Sequence, residues 1–275
     1  MSPEPKKTEI HYPTLILVGI SVFTLISVGH ELGHYFTARF FGAPCIALSN
    51  AHCDCDLTQF TGFQKSLVSA GGTLYNLFAS ALFGLWLYLW PPREGSMYYF
   101  VWLAGAANLF MGGGYLLVDP IGGFGDWTEV LTLYSLSGFQ LAPFIFAGAL
   151  FSFSGLFAFR EALTPLLPSG DEATRKRMAN LLCLLPYLLI GGVFTSAVTL
   201  LNRVDWQTFV LTNALAILGG TFFLAWLPAW IKEDQNNHQT RFIRRSVPLM
   251  ALGIASAIMM LTVFGPAILF SESAP

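Results

Sequence analysis

The chain has 275 residues, of which 54% are hydrophobic and only 11% are charged, and its mean hydropathy is +0.59. A soluble domain carries about 25% charged residues, so this composition excludes an ordinary soluble protein and predicts one embedded in a lipid bilayer. The net charge of −2 and the lack of a basic tract argue against a nucleic-acid partner. Four cysteines are too few for a disulfide scaffold.

Seven apolar segments have the length of about 20 residues that a membrane-spanning helix requires. They lie at 13–40, 66–90, 97–118, 141–160, 179–201, 207–231 and 247–270. The first is too long for a secretory signal peptide, and no small-residue cleavage site follows it. We therefore expect an all-α polytopic membrane protein with about seven transmembrane helices.

Two segments between these spans are irregular. Residues 42–65 are polar and predict a short re-entrant or hairpin loop after the first helix. Residues 112–138, "GGGYLLVDPIGGFGDWTEVLTLYSLSG", contain many helix breakers and predict an irregular loop followed by a short helix. Non-helical backbone at membrane depth occurs only inside the protein or along a wet cavity, so both segments are candidates for a functional site.

The distribution of basic residues predicts the orientation in the membrane. Seven crossings place the N-terminus and the loops 91–96, 161–178 and 232–246 on one side, together with 11 of the 14 lysines and arginines. By the positive-inside rule the N-terminus is cytoplasmic, whereas the C-terminus and residues 42–65 lie outside. The sequence gives no indication of the oligomeric state.

The first span contains "VGHELGHYFT" (28–37), in which two histidines and a glutamate interrupt an apolar helix. His30 and His34 are four residues apart and therefore lie on one face of the helix. Two imidazoles at this spacing can bind one zinc ion, with Glu31 as a general base. Ionisable residues within a membrane span are usually functional, so we predict one zinc ion per chain at this position.

A catalytic zinc site needs a third protein ligand. Position 40 is phenylalanine, and the next glutamate after Glu31 is Glu94, so two arrangements common in soluble zinc peptidases are absent. The strongest candidate is Asp126, which follows a glycine and opens a short helix, where the helix dipole favours a carboxylate. A simple helix N-cap is the alternative role for Asp126, and Asp119 is the alternative ligand.

Three motifs together resemble the site-2 proteases, which are intramembrane zinc metalloproteases. "GHELGHYFTARFFG" (29–42) is similar to the family's metal-binding span, and "GGTLYN" (71–76) to its Gly-Pro-x-x-Asn element. "YLLVDPIGGFGDW" (115–127) is similar to the stretch that supplies the third zinc ligand. The chain departs from the family pattern at Thr73, where proline is usual, at Gly125, where leucine is usual, and at Trp127, where glycine is usual.

The resemblance implies a zinc core of three helices within residues 1–136 and accessory transmembrane helices in residues 137–275, all in one bundle. It implies Asp126 as third ligand and Asn76 as a substrate-binding residue, for which a hydrogen bond between helices is the alternative role. The family usually places the loop after its zinc-binding helix in the cytoplasm, which is opposite to the orientation that the basic residues predict.

The predicted function is hydrolysis of a peptide bond in or near a transmembrane segment of a membrane-anchored protein. Glu31 would act as general base for water activated by zinc. A zinc-binding but non-proteolytic scaffold of the same fold is the alternative. An ion transporter is disfavoured, since the second half of the chain does not repeat the first.

The segment "HCDCD" (52–56) has two interpretations. It is either a second metal site, because it places His52, Cys53 and Cys55 close together, or a polar loop. In the second case Cys45 bridges one of its cysteines if the loop faces an oxidising compartment.

Overall fold

The computed structural model describes residues 10–202, 217–234 and 240–270. The fold is mostly helical, at 76%, and within the described residues six helices are long and apolar enough to cross a membrane. These six correspond to six of the seven predicted spans. Of the remaining predicted span, 207–231, residues 207–216 lie outside the described residues, and 217–231 contain a short helix over Phe222–Trp226 rather than a spanning one.

The helices are α1 (Tyr12–Phe40), α2 (Gly62–Leu89), α3 (Gly95–Gly122), α4 (Gly125–Leu133), α5 (Gly138–Leu166), α6 (Glu172–Thr199), α7 (Phe222–Trp226) and α8 (Val247–Phe264). Helix α6 widens to π geometry over Pro186–Phe194, where the proline removes a backbone donor. The strands are β1 (Cys45–Leu48), β2 (Cys53–Cys55) and β3 (Ile268–Leu269).

Helix α3 forms the centre of the bundle. Of its most apolar stretch 83% is buried within the protein, compared with 28% for α2. Its aromatic residues Tyr99, Trp102 and Phe110 are completely or almost completely buried and pack with residues from α1, α5 and α6 in one hydrophobic core. Because the core is shared in this way, α1–α3 and the later helices form one bundle, and the division at residue 136 stays a prediction.

Glycines allow α1 and α2 to cross in close contact. A Cβ atom added to Gly33 of α1 would lie 2.4 Å from the carbonyl oxygen of Gly71 in α2. A Cβ atom at Gly71 would lie 2.6 Å from the carbonyl oxygen of Gly33. Backbone contact of this kind between membrane helices requires small residues on both sides, and it brings α2 directly against the histidine face of α1.

The prediction of an irregular loop starting at residue 112 was wrong. Helix α3 continues through Gly112, Gly113 and Gly114 to Gly122, and the chain bends only at 123–124 before the short helix α4. The three glycines remain helical because neighbouring elements pack closely on them; a Cβ atom at Gly114 would lie 2.2 Å from the carbonyl oxygen of Gly220. The predicted short helix is confirmed as α4.

The predicted hairpin after the first helix is confirmed, but it belongs to a sheet of three strands in the order β2-β1-β3. Strand β1 pairs antiparallel with β2 and, on its other edge, antiparallel with β3. The last span was predicted over 247–270, whereas the helix ends at Phe264. Pro266 cannot extend a helical hydrogen-bond ladder, and Ala267 has a φ of 68°, so the chain turns back and forms β3.

The basic loops meet at one end of the bundle. The backbone N–H of His11 donates to Ile243 (2.9 Å), that of Arg241 donates to Pro165 (2.7 Å), and Gly170 pairs with Asp234. The sheet lies at the other end, where the Asn50 side chain donates to Thr199 Oγ1 (3.0 Å) at the end of α6. The compartment that each end faces stays a prediction.

Candidate metal centre

His30 and His34 lie one turn apart on the face of α1 that contacts α2. Their side chains are buried, and their rings meet edge to face with centroids 4.8 Å apart. The Nε2 atoms of both rings point to the same place, next to the first turn of α4. The spacing predicted from the sequence is therefore present in the fold.

Asp126 reaches this pair from α4. Its Oδ2 atom lies 2.9 Å from His30 Nε2 and 3.2 Å from His34 Nε2. The chain reaches this position through Gly123 and Gly125, which have φ angles of 69° and 77°, a region that residues with a Cβ atom rarely adopt. The three ligand atoms lie within 4.8 Å of one another, a distance that one metal ion can bridge.

Both imidazoles are oriented through their other nitrogen. His30 Nδ1 lies 2.7 Å from Asn76 Oδ1, and His34 Nδ1 lies 2.7 Å from the carbonyl oxygen of Val68. Because both partners are acceptors, each Nδ1 carries the hydrogen, and each neutral ring keeps its Nε2 lone pair for a metal. This arrangement of ligand and supporting acceptor is common to histidine metal sites.

A chain of amides holds the acceptor of His30 in place. Asn76 is completely buried, and its Nδ2 donates to Asn108 Oδ1 (2.9 Å). This hydrogen bond fixes the amide of Asn76 so that Asn76 Oδ1 faces His30. Asn108 in turn donates to the carbonyl oxygen of Ala104 (2.8 Å). The hydrogen bond between helices that was the alternative role of Asn76 is present, while its contact with substrate stays a prediction.

Gly72 keeps the space beside the two Nε2 atoms open. A Cβ atom at this position of α2 would lie 2.4 Å from His30 Nε2 and 2.5 Å from His34 Nε2. The absence of a side chain leaves room between helix α2 and the imidazoles where a cation can lie. The donor set and this space together fit a metal ion.

Asp119, the alternative ligand, has a different position. It is 1% exposed and lies behind Gly125, with its Oδ2 accepting from the backbone N–H of Trp127 (3.3 Å). A Cβ atom on Gly125 would lie 2.4 Å from this carboxylate, so only glycine fits there. Asp119 therefore supports the start of α4, and with it the position of Asp126.

Two of the departures from the family pattern contact each other. The indole Nε1–H of Trp127 donates to Thr73 Oγ1 at 3.0 Å, and Thr73 is completely buried in α2. The residues that stand at the usual positions of glycine and proline thus form a hydrogen bond that links α4 to α2. Trp127 supplies the donor and Thr73 the acceptor.

Glu31 lies between the histidines and the sheet. It is 9% exposed and interacts electrostatically with His30, His34 and Asp126. Strand β2 is also close, since its Cys53 packs together with Leu32 and Tyr35 of α1 against one hydrophobic cluster. The sheet therefore borders the candidate metal centre on the side of Glu31.

Comparison with models of known families, with curated proteins and with solved structures gave no match. The resemblance to the site-2 proteases therefore depends on the three sequence motifs alone.

The structure brings together every predicted ligand and the predicted base. Sequence reasoning missed two contributors, the carbonyl oxygen of Val68 and the space at Gly72. The first had no sequence signal, since any residue offers a carbonyl oxygen. The second lay beside Gly71 in the "GGTLYN" motif, where two adjacent glycines in a helix indicate close packing.

Proposed function

We propose that the chain is an intramembrane zinc metalloprotease that hydrolyses a peptide bond of a membrane-anchored protein in or near its transmembrane segment. One observation carries the proposal. The Nε2 atoms of His30 and His34 converge with Asp126 Oδ2, while both Nδ1 atoms are held by acceptors.

Zinc is the metal that best suits these ligands. Two imidazole nitrogens and one carboxylate oxygen match the three protein ligands of catalytic zinc sites, which keep the fourth position open. The Nδ1 hydrogen bonds of His30 and His34 leave Nε2 as the nitrogen that would bind the metal, which takes imidazole in its neutral form. Asp126 would complete the site from a separate helix.

Zinc bound here would supply a Lewis acid that polarises a scissile carbonyl and makes water nucleophilic near neutral pH. Glu31, one residue after His30, would accept the proton of the attacking water and deliver it to the leaving amine. The Nδ1 hydrogen bonds to Asn76 and Val68 would keep both imidazoles in their orientation during this transfer.

The sheet supports an extended conformation of the substrate. Strand β2 forms one edge of the sheet, and its Cys53 packs in the same cluster as Leu32, the neighbour of Glu31 in α1. An extended peptide can add to such an edge through backbone hydrogen bonds. This geometry suits peptide bonds that have left a helix, since helical amides are already hydrogen-bonded. The predicted substrate is thus a transmembrane segment that unwinds near the centre.

The hairpin also supports an orientation. Cys45 and Cys55 form a disulfide bond that joins β1 and β2, and disulfides persist mainly outside the cytosol. This agrees with the orientation that the basic residues predict, with the N-terminus cytoplasmic and the sheet outside. Labelling engineered cysteines from each side of the membrane tests it.

The decisive experiment compares zinc content and cleavage in purified Glu31→Gln. We expect about one zinc per chain to remain, because Glu31 is not a ligand. Cleavage of a single-span substrate should fall by about 10²–10⁴-fold, the usual contribution of a general base. Glu161→Gln is the matched control, since Glu161 is exposed at the opposite end, beside Arg160, and should leave both values unchanged.

Normal turnover in Glu31→Gln would show that Glu31 is not the base. A His30→Ala, His34→Ala double variant that keeps its zinc would place the metal elsewhere. If the unaltered protein binds zinc and cleaves no single-span substrate, the non-proteolytic scaffold is the better description.

A further inference from the structure

A second cluster of metal-binding side chains lies in the hairpin. Cys45, Cys53 and Cys55 have sulfur atoms within 4.8 Å of one another, and all three residues are half-buried. Cys45 and Cys55 are joined by the disulfide bond, while the Sγ atom of Cys53 lies 3.5 Å from that of Cys55. The proposed protease function uses the backbone edge of β2 and none of these three sulfur atoms.

We propose that these three sulfurs form a redox-controlled cation site, which binds one soft cation, Zn²⁺ or Cd²⁺, when the Cys45–Cys55 disulfide is reduced. The ligands are the thiolates of Cys45, Cys53 and Cys55. In the oxidised protein two of the three sulfurs form the disulfide bond and cannot act as thiolate ligands, so the cation does not bind. The proposal is independent of the protease function.

The backbone places the three sulfurs on one side of the hairpin. Cys53 and Cys55 are two residues apart in β2 and therefore share a face of the strand, and Cys45 is the partner of Cys55 in the antiparallel pair. Strand β1 is held on its other edge by β3, and its residues Ala47 and Leu48 are buried. These contacts do not depend on the disulfide, so the hairpin keeps its shape when that bond opens.

The distances suit a tetrahedral thiolate site. A zinc–sulfur bond of about 2.3 Å places two sulfur ligands about 3.8 Å apart. The separation of 3.5 Å between Cys53 and Cys55 is already close to that value. Once the disulfide is open, side-chain rotation can move Cys45 Sγ away from Cys55 Sγ to a position where both bind one cation.

The chemical step is a two-electron reduction by a dithiol. The bond between Cys45 Sγ and Cys55 Sγ breaks, each sulfur takes up one proton, and the dithiol is oxidised to its own disulfide. Binding of the cation then releases the thiol protons of the three ligands to solvent. After the cation has left, thiol–disulfide exchange with an oxidised dithiol transfers two electrons and two protons to that partner and restores the Cys45–Cys55 disulfide.

The presence of Cys53 beside the disulfide distinguishes a cation site from a disulfide that only stabilises the hairpin. Two cysteines suffice to join β1 and β2, and a disulfide requires no third sulfur beside it. Cys183 provides the comparison, because it is also a free cysteine but is completely buried in α6, outside the cluster. A cysteine that serves only in packing should behave like Cys183.

The test is a cadmium titration of the purified full-length chain, in detergent, before and after reduction with a phosphine reductant. Thiolate-to-cadmium charge transfer in the ultraviolet reports sulfur ligands alone, so cadmium at the histidine site does not contribute. We expect one equivalent to bind with this signal in the reduced protein, and roughly 100-fold weaker binding in the oxidised protein. Alkylation of the denatured protein should label two cysteines without reduction and four after it.

Two variants complete the design. Cys53→Ser keeps the disulfide but should weaken cadmium binding in the reduced form by about tenfold or more and remove about a third of the signal. Cys183→Ser should match the unaltered protein. Thermal unfolding in detergent shows whether each variant is folded.

Three results would overturn the proposal. The first is the absence of a charge-transfer signal in the reduced protein. The second is equal binding in Cys53→Ser and the unaltered chain, which would leave Cys53 with a packing role. The third is equal binding in the oxidised and reduced forms, or four labelled cysteines before reduction, either of which would remove the redox control.

Discussion

The two clusters of candidate ligands are assembled in different ways. The histidine centre combines α1 and α4, which are far apart in the sequence, and α2 supplies the supporting acceptors. The cysteine cluster comes from one hairpin of 11 residues, in which neighbouring strands and a covalent bond bring the sulfurs together. The first therefore depends on tertiary packing, and the second on local chain geometry.

This difference indicates how each cluster responds to change. A substitution that alters the contact between α1, α2 and α4 should affect the histidine centre and leave the cysteine cluster unchanged. The reverse holds for changes within the hairpin. A helix variant that also alters the cysteine cluster, or a hairpin variant that also alters the histidine centre, would show that the sheet and the helices are structurally coupled.

The largest effect is expected for Gly72→Ala. The new Cβ atom would lie 2.4–2.5 Å from both Nε2 atoms, and the imidazoles cannot turn away without losing their Nδ1 hydrogen bonds. We expect zinc affinity to fall by about 100-fold or more, since the methyl group occupies the space beside the ligands. Zinc content after purification measures the effect.

Gly84→Ala is the matched control, because it lies on the same helix and its Cβ atom would meet nothing within 4 Å. Exchange of glycine for alanine within an exposed helix favours the helix by about 1 kcal/mol, so this variant should bind zinc normally and be slightly more stable. Full zinc content in Gly72→Ala would mean that no cation lies beside α2. Cadmium binding by the reduced hairpin should be unchanged in both variants.

The next largest effect is expected for Asn76→Ala. The substitution removes the acceptor of His30 Nδ1 and leaves the ring free to turn or to change tautomer. Loss of such a supporting partner lowers metal affinity by about 10–100-fold, which titration with a zinc indicator can measure. Cleavage by the variant should also be lower at limiting zinc, and an excess of zinc should restore it.

Ser80→Ala serves as the control for Asn76→Ala. Ser80 is one turn further along α2 and donates to the carbonyl oxygen of Gly105 (2.8 Å), so the variant also removes a buried hydrogen bond between α2 and α3. It should lower stability without lowering zinc affinity. If Asn76→Ala keeps normal zinc affinity but raises KM, the predicted substrate contact is the better role for Asn76.

The sequence predicted the parts of the histidine centre that depend on local spacing. His30, Glu31 and His34 share one helical turn, and Asp126 was preferred to Asp119 because it starts a helix; the structure brings it to the histidines. Gly72 was missed because its role depends on which helix packs against it. The same reason explains the error in α3, where packing on glycines outweighs their low helix propensity.

The sheet shows the same limit. The hairpin was predictable from the polar residues after α1, whereas β3 was not, because Ile268 and Leu269 continue an apolar segment and read as part of a span. Their pairing with Ala47 and Leu48 joins residues more than 200 positions apart. No local pattern in the sequence reports a contact of that range.

The smallest effect is expected for the hydrogen bond between Trp127 and Thr73, and it is the most specific test of how α4 is held. Thr73→Val and Trp127→Phe each remove one partner, and each should lower the free energy of unfolding by about 1 kcal/mol. The double variant should lower the free energy of unfolding by less than the sum of the two single decreases, since the same hydrogen bond is lost in each. Thermal unfolding in detergent measures all three.

If the bond positions Asp126, zinc affinity should follow the same pattern, with a decrease of less than about tenfold in each single variant and no further decrease in the double variant. Thr132 lies on α4 outside these contacts. Thr132→Val is therefore the control for replacing a helical threonine by valine, and it should leave zinc affinity unchanged. Additive losses would mean that Thr73 and Trp127 act separately. In that case the carboxylate of Asp119, which accepts from the backbone N–H of Trp127, would be what holds the start of α4 against the histidines.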